Sequence, residues 1–358
     1  MRPASSAAYL RTLRKYATGI GVILLVCGCN GGSVAPDTVR TESGVVRGVH
    51  TGSVDAFLGI PYAAPPVGEL RWLPPRPYGA WQGVLEAFEF GSECAQPGAA
   101  PGQTAGSENC LFLNVYRPHA VADTPAPRPL PVMVWIHGGG LTVLSGAFEH
   151  PPALLEDGNV VVVSMNYRLG VLGFFAHPAI DAEGHLNANY GLMDQQFAMQ
   201  WVRRNIAAFG GDPRRITIFG TSAGALSVYS HLTSPTAADL FQRAIAQSGS
   251  YKGLVSYEKS IVPLAEAEIA GVALADRLDC SSASCLRAVP IASLVAQQPV
   301  GNSYPIIDGA VLTQRPQAAF ASGQFNRVPV IAGTSHDDYR FVVAIDYDFG
   351  PGPLTANR

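Results

Sequence analysis

The feature that most constrains the fold is a strand, a tight turn and a helix that follow one another between residues 215 and 232. An apolar run at 215–219 predicts a buried strand, and helical spacing of apolar residues predicts a helix at 222–232. The turn between them reads Gly-Thr-Ser-Ala-Gly at 220–224, with Ser222 at its centre. Glycine is needed on both sides of Ser222, because a side chain there would collide with neighbouring strands. This context predicts that Ser222 is a nucleophile, in preference to a plain glycine-rich turn.

Short apolar runs alternate with helical patterns along the chain. This alternation predicts one α/β domain with a mostly parallel central sheet and helices on both faces. The composition permits such a core, because 47% of the 358 residues are apolar and 14% are charged. Proline- and glycine-rich segments at 96–106 and 123–131 predict loops. The predicted strands lie at 131–136, 159–164, 215–219, 242–246 and 328–332, and the predicted helices at 191–205, 222–232 and 257–278.

A second glycine-rich segment reads His-Gly-Gly-Gly at 137–140, directly after the predicted strand 131–136. Glycines allow backbone N–H groups to approach a substrate oxygen closely. Together with the N–H group of Ala223, this segment can form an oxyanion hole, in which the loss of one donor typically costs about 3 kcal/mol. We predict that role for the segment, with a flexible glycine turn as the alternative.

The N-terminal residues are typical of an export signal. Basic residues precede an apolar run that is too short to span a bilayer. The ending Val-Cys-Gly-Cys at 26–29 resembles a bacterial lipoprotein signal, which predicts cleavage before Cys29 and acylation of its sulfur. An ordinary signal peptide cut slightly later is the alternative. We therefore expect a signal peptide at 1–28, a tether at 29–41, and an exported protein that is lipid-anchored at Cys29 or else periplasmic or secreted.

Four of the six cysteines lie downstream of the Val-Cys-Gly-Cys ending at 26–29, and export permits them to form disulfides. Four cysteines allow three connectivities. Pairing of chain neighbours closes the shortest loops, and a bridge between Cys94 and Cys110 would contribute roughly 3 kcal/mol in the chain-entropy model. Four free thiols are the alternative.

The chain resembles the type B carboxylesterases, the family that includes the cholinesterases and the bacterial para-nitrobenzyl esterases. The resemblance runs from about Val39 to the last residue. Asn109 stands where the family usually has aspartate, and Thr221 where many relatives carry glutamate. The segments that carry the resemblance are 57–72, 108–118, 166–174 and 209–224.

The resemblance implies an α/β-hydrolase fold with Ser222 as the nucleophile. The segment 333–341 resembles the family's acid loop, which implies Asp338 as the triad acid, and a solvated loop carboxylate is the alternative. The implied oxyanion donors are Gly139, Gly140 and Ala223. The implied disulfides are Cys94–Cys110 and Cys280–Cys285, and the implied structural ion pairs are Arg71–Glu108 and Arg168–Asp194.

The histidine base of the triad is not apparent in the sequence. The expected order is serine, acid, histidine, and none of the eight histidines follows Asp338. His137 belongs to the oxyanion segment, His231 lies far along the nucleophile helix, and His336 is too close to Asp338. We therefore expect residues 42–358 to be an incomplete catalytic domain, from a fragment or truncated reading frame. It would lack the C-terminal strand, helices and histidine loop, and would expose apolar surface and a strand edge.

The function that the resemblance implies is hydrolysis of small-molecule carboxylic esters through an acyl-enzyme, without metal or organic cofactor. The missing base is expected to impair this activity, and a non-catalytic binding or adhesion role is the alternative. The 24 basic and 27 acidic residues are scattered, which argues against nucleic acid as a partner. Membrane contact is expected only through a lipid anchor.

Overall fold

The computed structural model describes residues 37–100, 102–119, 128–147, 154–155, 157–249, 261–298, 303–338 and 340. The predicted signal peptide and Cys29 lie outside these residues. The strands are β1 Thr38–Arg40, β2 Val45–Arg47, β3 Val49–Thr51, β4 Val54–Pro61, β5 Val84–Glu86, β6 Gln96–Pro97, β7 Thr104–Ala105, β8 Phe112–Pro118, β9 Leu130–Ile136, β10 Val161–Met165, β11 Gly211–Thr221, β12 Arg243–Gln247 and β13 Val330–Gly333. The α-helices are α1 Gly170–Gly173, α2 Pro178–Asp181, α3 Tyr190–Asn205, α4 Ala223–Thr233, α5 Leu264–Arg277, α6 Ala283–Ala288, α7 Ile291–Ala296 and α8 Pro316–Ser322.

Eight of the described strands form the central sheet, in the order β13-β12-β11-β9-β10-β8-β4-β3. The first five run parallel to one another, whereas β8, β4 and β3 pair antiparallel at the other end. The carboxyl ends of β9, β11, β12 and β13 therefore meet at one edge of the sheet. The structure confirms the predicted α/β fold and adds three antiparallel strands to it.

The parallel strands are buried, as their apolar sequences predict. Every residue of β10 is buried, which fits a strand covered on both faces. Helix α4 packs against β11 and β12, and α3 packs against β11. Because these helices cover the strands that carry the predicted site, the site rests on a rigid core.

Two ion pairs, one partly buried and one buried, brace the segments that surround the core. Arg71 and Glu108 form a two-pronged pair, with Nε–Oε1 at 2.6 Å and Nη2–Oε2 at 2.7 Å. Arg168 and Asp194 also form a two-pronged pair, with Nε–Oδ2 and Nη2–Oδ1 both at 2.8 Å. The structure also contains the disulfides Cys94–Cys110 and Cys280–Cys285. Both predicted ion pairs and both predicted pairings of cysteines are thus present.

The structure differs from the sequence-based expectations at three segments. Strand β1 lies within the predicted tether 29–41, and Val39 is buried in the core because β1 pairs with β2. The predicted loop 96–106 contains β6 and β7, which pair antiparallel. Helix α5 begins at Leu264, after Pro263, although the pattern predicts a helix from 257. Residues 257–260 lie outside the described part of the chain.

One end of the sheet is exposed. All four residues of β13 are exposed, including Val330 at 45% and Ile331 at 69%. Among the described strands, β13 pairs only with β12. Searched over the same described residues, no helix is long and apolar enough to cross a membrane.

Candidate active site

Ser222 occupies the turn between β11 and α4, as predicted. Its backbone lies at φ 57° and ψ −122°, a conformation that residues with a side chain rarely adopt. Its N–H group donates to the carbonyl of Gln247 at the end of β12 (2.9 Å), and its own carbonyl accepts from Leu226 in α4 (3.1 Å). Such strained residues cost about 1–3 kcal/mol and persist where the surrounding structure holds them. The turn therefore holds Ser222 in a position that the chain would not adopt by itself.

The two glycines of the turn are required by packing. A Cβ atom on Gly220 would lie 2.8 Å from the carbonyl oxygen of Ile136, the last residue of β9. A Cβ atom on Gly224 would overlap the same oxygen. The collision with a neighbouring strand that the sequence predicts is thus present at both positions.

The segment 137–140 lies against this turn. The Cβ position of Gly138 is 3.4 Å from Cβ of Ser222. Gly139 and Gly140 have φ angles of 89° and 63°, which favour glycine. Among the described residues, no backbone carbonyl accepts a hydrogen bond from the N–H groups of these two glycines. Ala223 begins α4, so its N–H group has no acceptor within the helix. These three N–H groups remain available to an oxyanion.

His137 supports the oxyanion segment. Its ring is buried and stacks on the ring of Tyr167, with centroids 4.3 Å apart. The Tyr167 hydroxyl donates to the His137 carbonyl at 2.8 Å. Burial lowers the pKa of His137 to about 4, so its imidazole is neutral at neutral pH. These contacts suit a residue that holds the loop in place.

The other described histidines form no hydrogen bond with Ser222. His231 lies in the last turn of α4, where its Nε2 atom is 2.7 Å from Oε1 of Gln195. Burial lowers the pKa of His231 to about 3. His336 is exposed and contacts Asp337. His150 lies outside the described residues. Within the described part of the chain, no imidazole forms a hydrogen bond with Ser222 or Asp338.

Asp338 lies in the loop after β13, at the same edge of the sheet as Ser222 and with one strand, β12, between their two strands. Its N–H group donates to the Ser335 carbonyl at 3.4 Å. The neighbouring Asp337 instead pairs with Arg340 at 3.1 Å. Asp338 is exposed, so its carboxylate is open to a partner at this edge.

Sequence reasoning missed Ser248, which links the acid loop to the strand beside the nucleophile. Its hydroxyl accepts from the N–H group of Ser335 (3.2 Å), and its own N–H group donates to Gly333 (2.8 Å). Its φ angle is 51°. The only sequence signal is a Ser-Gly pair that begins two residues after the predicted strand 242–246, and such a pair is too common to single out.

Comparison with known proteins places the chain in a family. The sequence model of the carboxylesterase family matches residues 35–351. The chain belongs to this family. It is 42% identical over 318 residues to a fumonisin B1 esterase of Sphingopyxis macrogoltabida, which covers 85% of this chain and 57% of that protein. It is 39% identical to a cocaine esterase of Oryctolagus cuniculus, over 85% of this chain and 59% of that protein.

Solved structures agree with this assignment. A carboxylesterase of Geobacillus stearothermophilus superimposes with a TM-score of 0.75 at 36% identity, over 87% of this chain and 64% of that one. A structure described as PNB esterase gives the same TM-score and identity, over 86% of this chain and 65% of that one. The chain spans about three fifths of the length of the curated relatives that it matches.

Proposed function

We propose that the protein hydrolyses carboxylic esters, with Ser222 as the nucleophile. The observation that carries the proposal is the strained turn at Ser222, placed beside three N–H groups without backbone acceptors. Relatives of the family are named for the hydrolysis of fumonisin B1, cocaine and pyrethroids, and carboxylic esters are the chemistry that these names support.

The reaction divides into two steps. In the first, the Oγ atom of Ser222 attacks the ester carbonyl carbon, and the developing oxyanion accepts hydrogen bonds from Gly139, Gly140 and Ala223. The C–O bond to the alcohol then breaks, and the alcohol leaves with the proton that the Ser222 hydroxyl gives up. In the second step, water attacks the acyl-enzyme, releases the acid and restores the Ser222 hydroxyl. Asp338 is proposed as the acid that would orient the base.

The base determines how fast this chain can react. No described imidazole contacts Ser222, and serine hydrolases that lack part of the triad retain only about 10³–10⁴-fold catalysis over water. We therefore expect slow turnover by the 358-residue chain. Oxyanion stabilisation alone would supply the residual rate.

A para-nitrophenyl acetate assay of the purified chain tests this proposal, with Ser222→Ala as the matched variant. We expect a slow release of nitrophenolate that Ser222→Ala abolishes. Equal rates in the two proteins would refute a nucleophilic role for Ser222. Fast turnover that depends on Ser222 would instead refute the proposal that no base acts on it.

A binding or adhesion role is the second candidate, because no described imidazole contacts Ser222. A fluorophosphonate probe distinguishes the two functions when free imidazole is supplied as an external base, since the probe modifies serines that a base activates. Labelling of the folded chain at Ser222 supports hydrolysis. A folded chain that remains unlabelled even with added imidazole, while a related esterase labels under the same conditions, supports the binding role.

We also propose that the protein is exported and acylated at Cys29. The two disulfides support an oxidising compartment. Metabolic labelling with a palmitate analogue in a bacterial host should mark the chain, and Cys29→Ala should remove the label. A label that persists in Cys29→Ala would contradict acylation at this residue.

A further inference from the structure

We propose that His50, Asp55 and His119 form a binding site for a divalent transition-metal ion of the Zn²⁺ type. No metal ligands were expected from the sequence, because it contains no H-E-x-x-H motif. The two histidines are 69 positions apart along the chain. The structure brings them together with Asp55 at the antiparallel end of the central sheet. One ligand atom from each side chain lies within 4.8 Å of the other two.

The strand pairing explains why these side chains meet. His50 in β3 lies directly opposite Asp55 in β4, and Asp55 lies directly opposite Arg117 in β8. His119 follows β8 by one residue, and its N–H group donates to the Ser53 carbonyl at 2.8 Å. Side chains that are directly opposite, or two residues apart on one strand, share a face of a sheet. The three potential ligands therefore project from one face of three adjacent strands.

Asp55 is the fixed centre of this group. Its carboxylate is buried, and Arg117 Nε contacts its Oδ2 atom at 3.0 Å. The other oxygen, Oδ1, is 3.2 Å from Nδ1 of His50 and 2.7 Å from Nδ1 of His119. Both imidazoles thus direct the same type of nitrogen towards one carboxylate oxygen. Arg117 orients the carboxylate from the opposite side, as outer partners of metal ligands do.

Two imidazoles and a carboxylate are a ligand set that suits Zn²⁺ and similar ions. At Zn–N and Zn–O distances of about 2.0–2.1 Å, ligands of a tetrahedral ion lie roughly 3.3 Å apart. The distance between His50 Nδ1 and Asp55 Oδ1 already fits this value. The His119 ring would need to move away from Asp55 Oδ1 by roughly half an ångström. The His50 and His119 side chains are 46% and 24% exposed, so both rings have room to adjust. The exposed side leaves a fourth position for water.

A bound ion would connect the edge strand β3 to β8 through β4. It would act as a structural clip, because the site lies at the opposite end of the strand order from the strands that carry Ser222 and Asp338. The same side chains also form a hydrogen-bonded group without a metal, and Arg117 lowers the affinity for a cation. Binding measurements distinguish the two arrangements.

The test uses the purified full chain, stripped with a chelator and titrated with Zn²⁺ against a chromophoric competitor. Variants are His50→Gln, His119→Gln and the double variant. His185→Gln is the matched control, since His185 also lies beside a carboxylate, Glu183, at 3.1 Å. Loss of an outer partner alone typically weakens metal binding 10–100-fold, so loss of a ligand should weaken it by at least about tenfold. We expect one site per chain that the double variant lacks and His185→Gln retains.

A second readout keeps the test independent of folding. Co²⁺ bound by two imidazoles and a carboxylate in a tetrahedral site gives visible absorption bands. We expect these bands in the original chain and in His185→Gln, and we expect the double variant to lack them. Thermal unfolding with and without Zn²⁺ should show a stabilisation that the double variant loses. Zn²⁺ binding of equal strength in the original chain and a folded double variant would overturn the proposal. So would the absence of a site in the original chain.

Discussion

At the scale of single residues, Ser222 combines backbone strain with its proposed chemical role. Glycine relieves the strain at a positive φ angle, whereas alanine keeps it. The strain is worth about 1–3 kcal/mol, and the greater freedom of glycine in the unfolded chain offsets roughly 0.5–1 kcal/mol. We therefore predict that Ser222→Gly is more stable than Ser222→Ala by about 1 kcal/mol, as measured by urea unfolding. Both variants should lose the slow, Ser222-dependent release of nitrophenolate. Equal stability of the two would show that the turn holds Ser222 without strain.

Single residues also mark the limit of what the sequence predicts about the site. Ser222 and the segment 137–140 are predictable because their function requires glycines at fixed positions in a short stretch of chain. Ser248 is not, since its role depends on a contact with Ser335, which is 87 residues away. His50 and His119 become a group only through the register of three strands. Local patterns identify residues whose backbone is special, but they do not identify contacts between distant segments.

At the scale of structural elements, the buried ion pair Arg168–Asp194 joins α3 to the segment that precedes α1. The side chains are 3% and 0% exposed, and Asp194 also accepts the Arg168 N–H group at 3.0 Å. We predict that Asp194→Asn costs about 3–5 kcal/mol of unfolding free energy, because it leaves the Arg168 charge buried. The matched control is Glu86→Gln in the pair Arg47–Glu86, whose side chains are 43% and 46% exposed. Chemical denaturation should show a loss below about 1 kcal/mol for the control. Similar losses in both variants would contradict the role of burial.

The contact between α2 and α5 is predicted to make stability depend on pH. Burial raises the pKa of Asp181 to about 7, and the nearby Glu268 carboxylate acts in the same direction. The unfolded value is about 3.9, so this group's contribution to stability is complete below about pH 4 and is lost as the pH rises through 7. Asp181→Asn does not ionise and preserves a hydrogen-bond donor. We predict that its melting temperature relative to the original chain increases from pH 5 to pH 8.

The control for this prediction is Glu266→Gln, which removes an exposed carboxylate from the same helix, α5. Its melting temperature relative to the original chain should change little between the two pH values. If the difference in melting temperature between Asp181→Asn and the original chain is the same at pH 5 and pH 8, the pKa of Asp181 is not raised in the folded state.

The strands of the central sheet also differ in how well the sequence predicts them. The parallel strands are predictable because they are apolar throughout, as in β10, where burial on both faces removes any alternation. The strands β3, β4 and β8 cannot be predicted in this way, because polar residues interrupt their apolar sequences. Asp55 is buried in β4, where Arg117 compensates its charge and the two neighbouring histidines form hydrogen bonds with its other oxygen. A local sequence pattern cannot show such compensation between strands.

At the scale of the whole molecule, the central sheet ends differently on its two sides. On the β3 side, His50 and Asp55 place polar groups beside the edge, whereas β13 exposes Val330 and Ile331. An exposed apolar edge strand presents unpaired backbone groups and can pair with the same strand of another molecule. Charged residues on edge strands prevent this pairing in natural proteins. The exposed β13 edge therefore predicts concentration-dependent self-association of this chain.

Ile331→Lys tests this prediction, because it places a charge on the edge strand. The Ile331 side chain is 69% exposed, so the change in stability should stay within about 0.5 kcal/mol. Ile269→Lys is the matched control, since Ile269 is 72% exposed but lies on helix α5. Light scattering over a concentration series should show less association for Ile331→Lys than for Ile269→Lys. If the two substitutions reduce association equally, exposed apolar area drives it, and the strand edge has no special part.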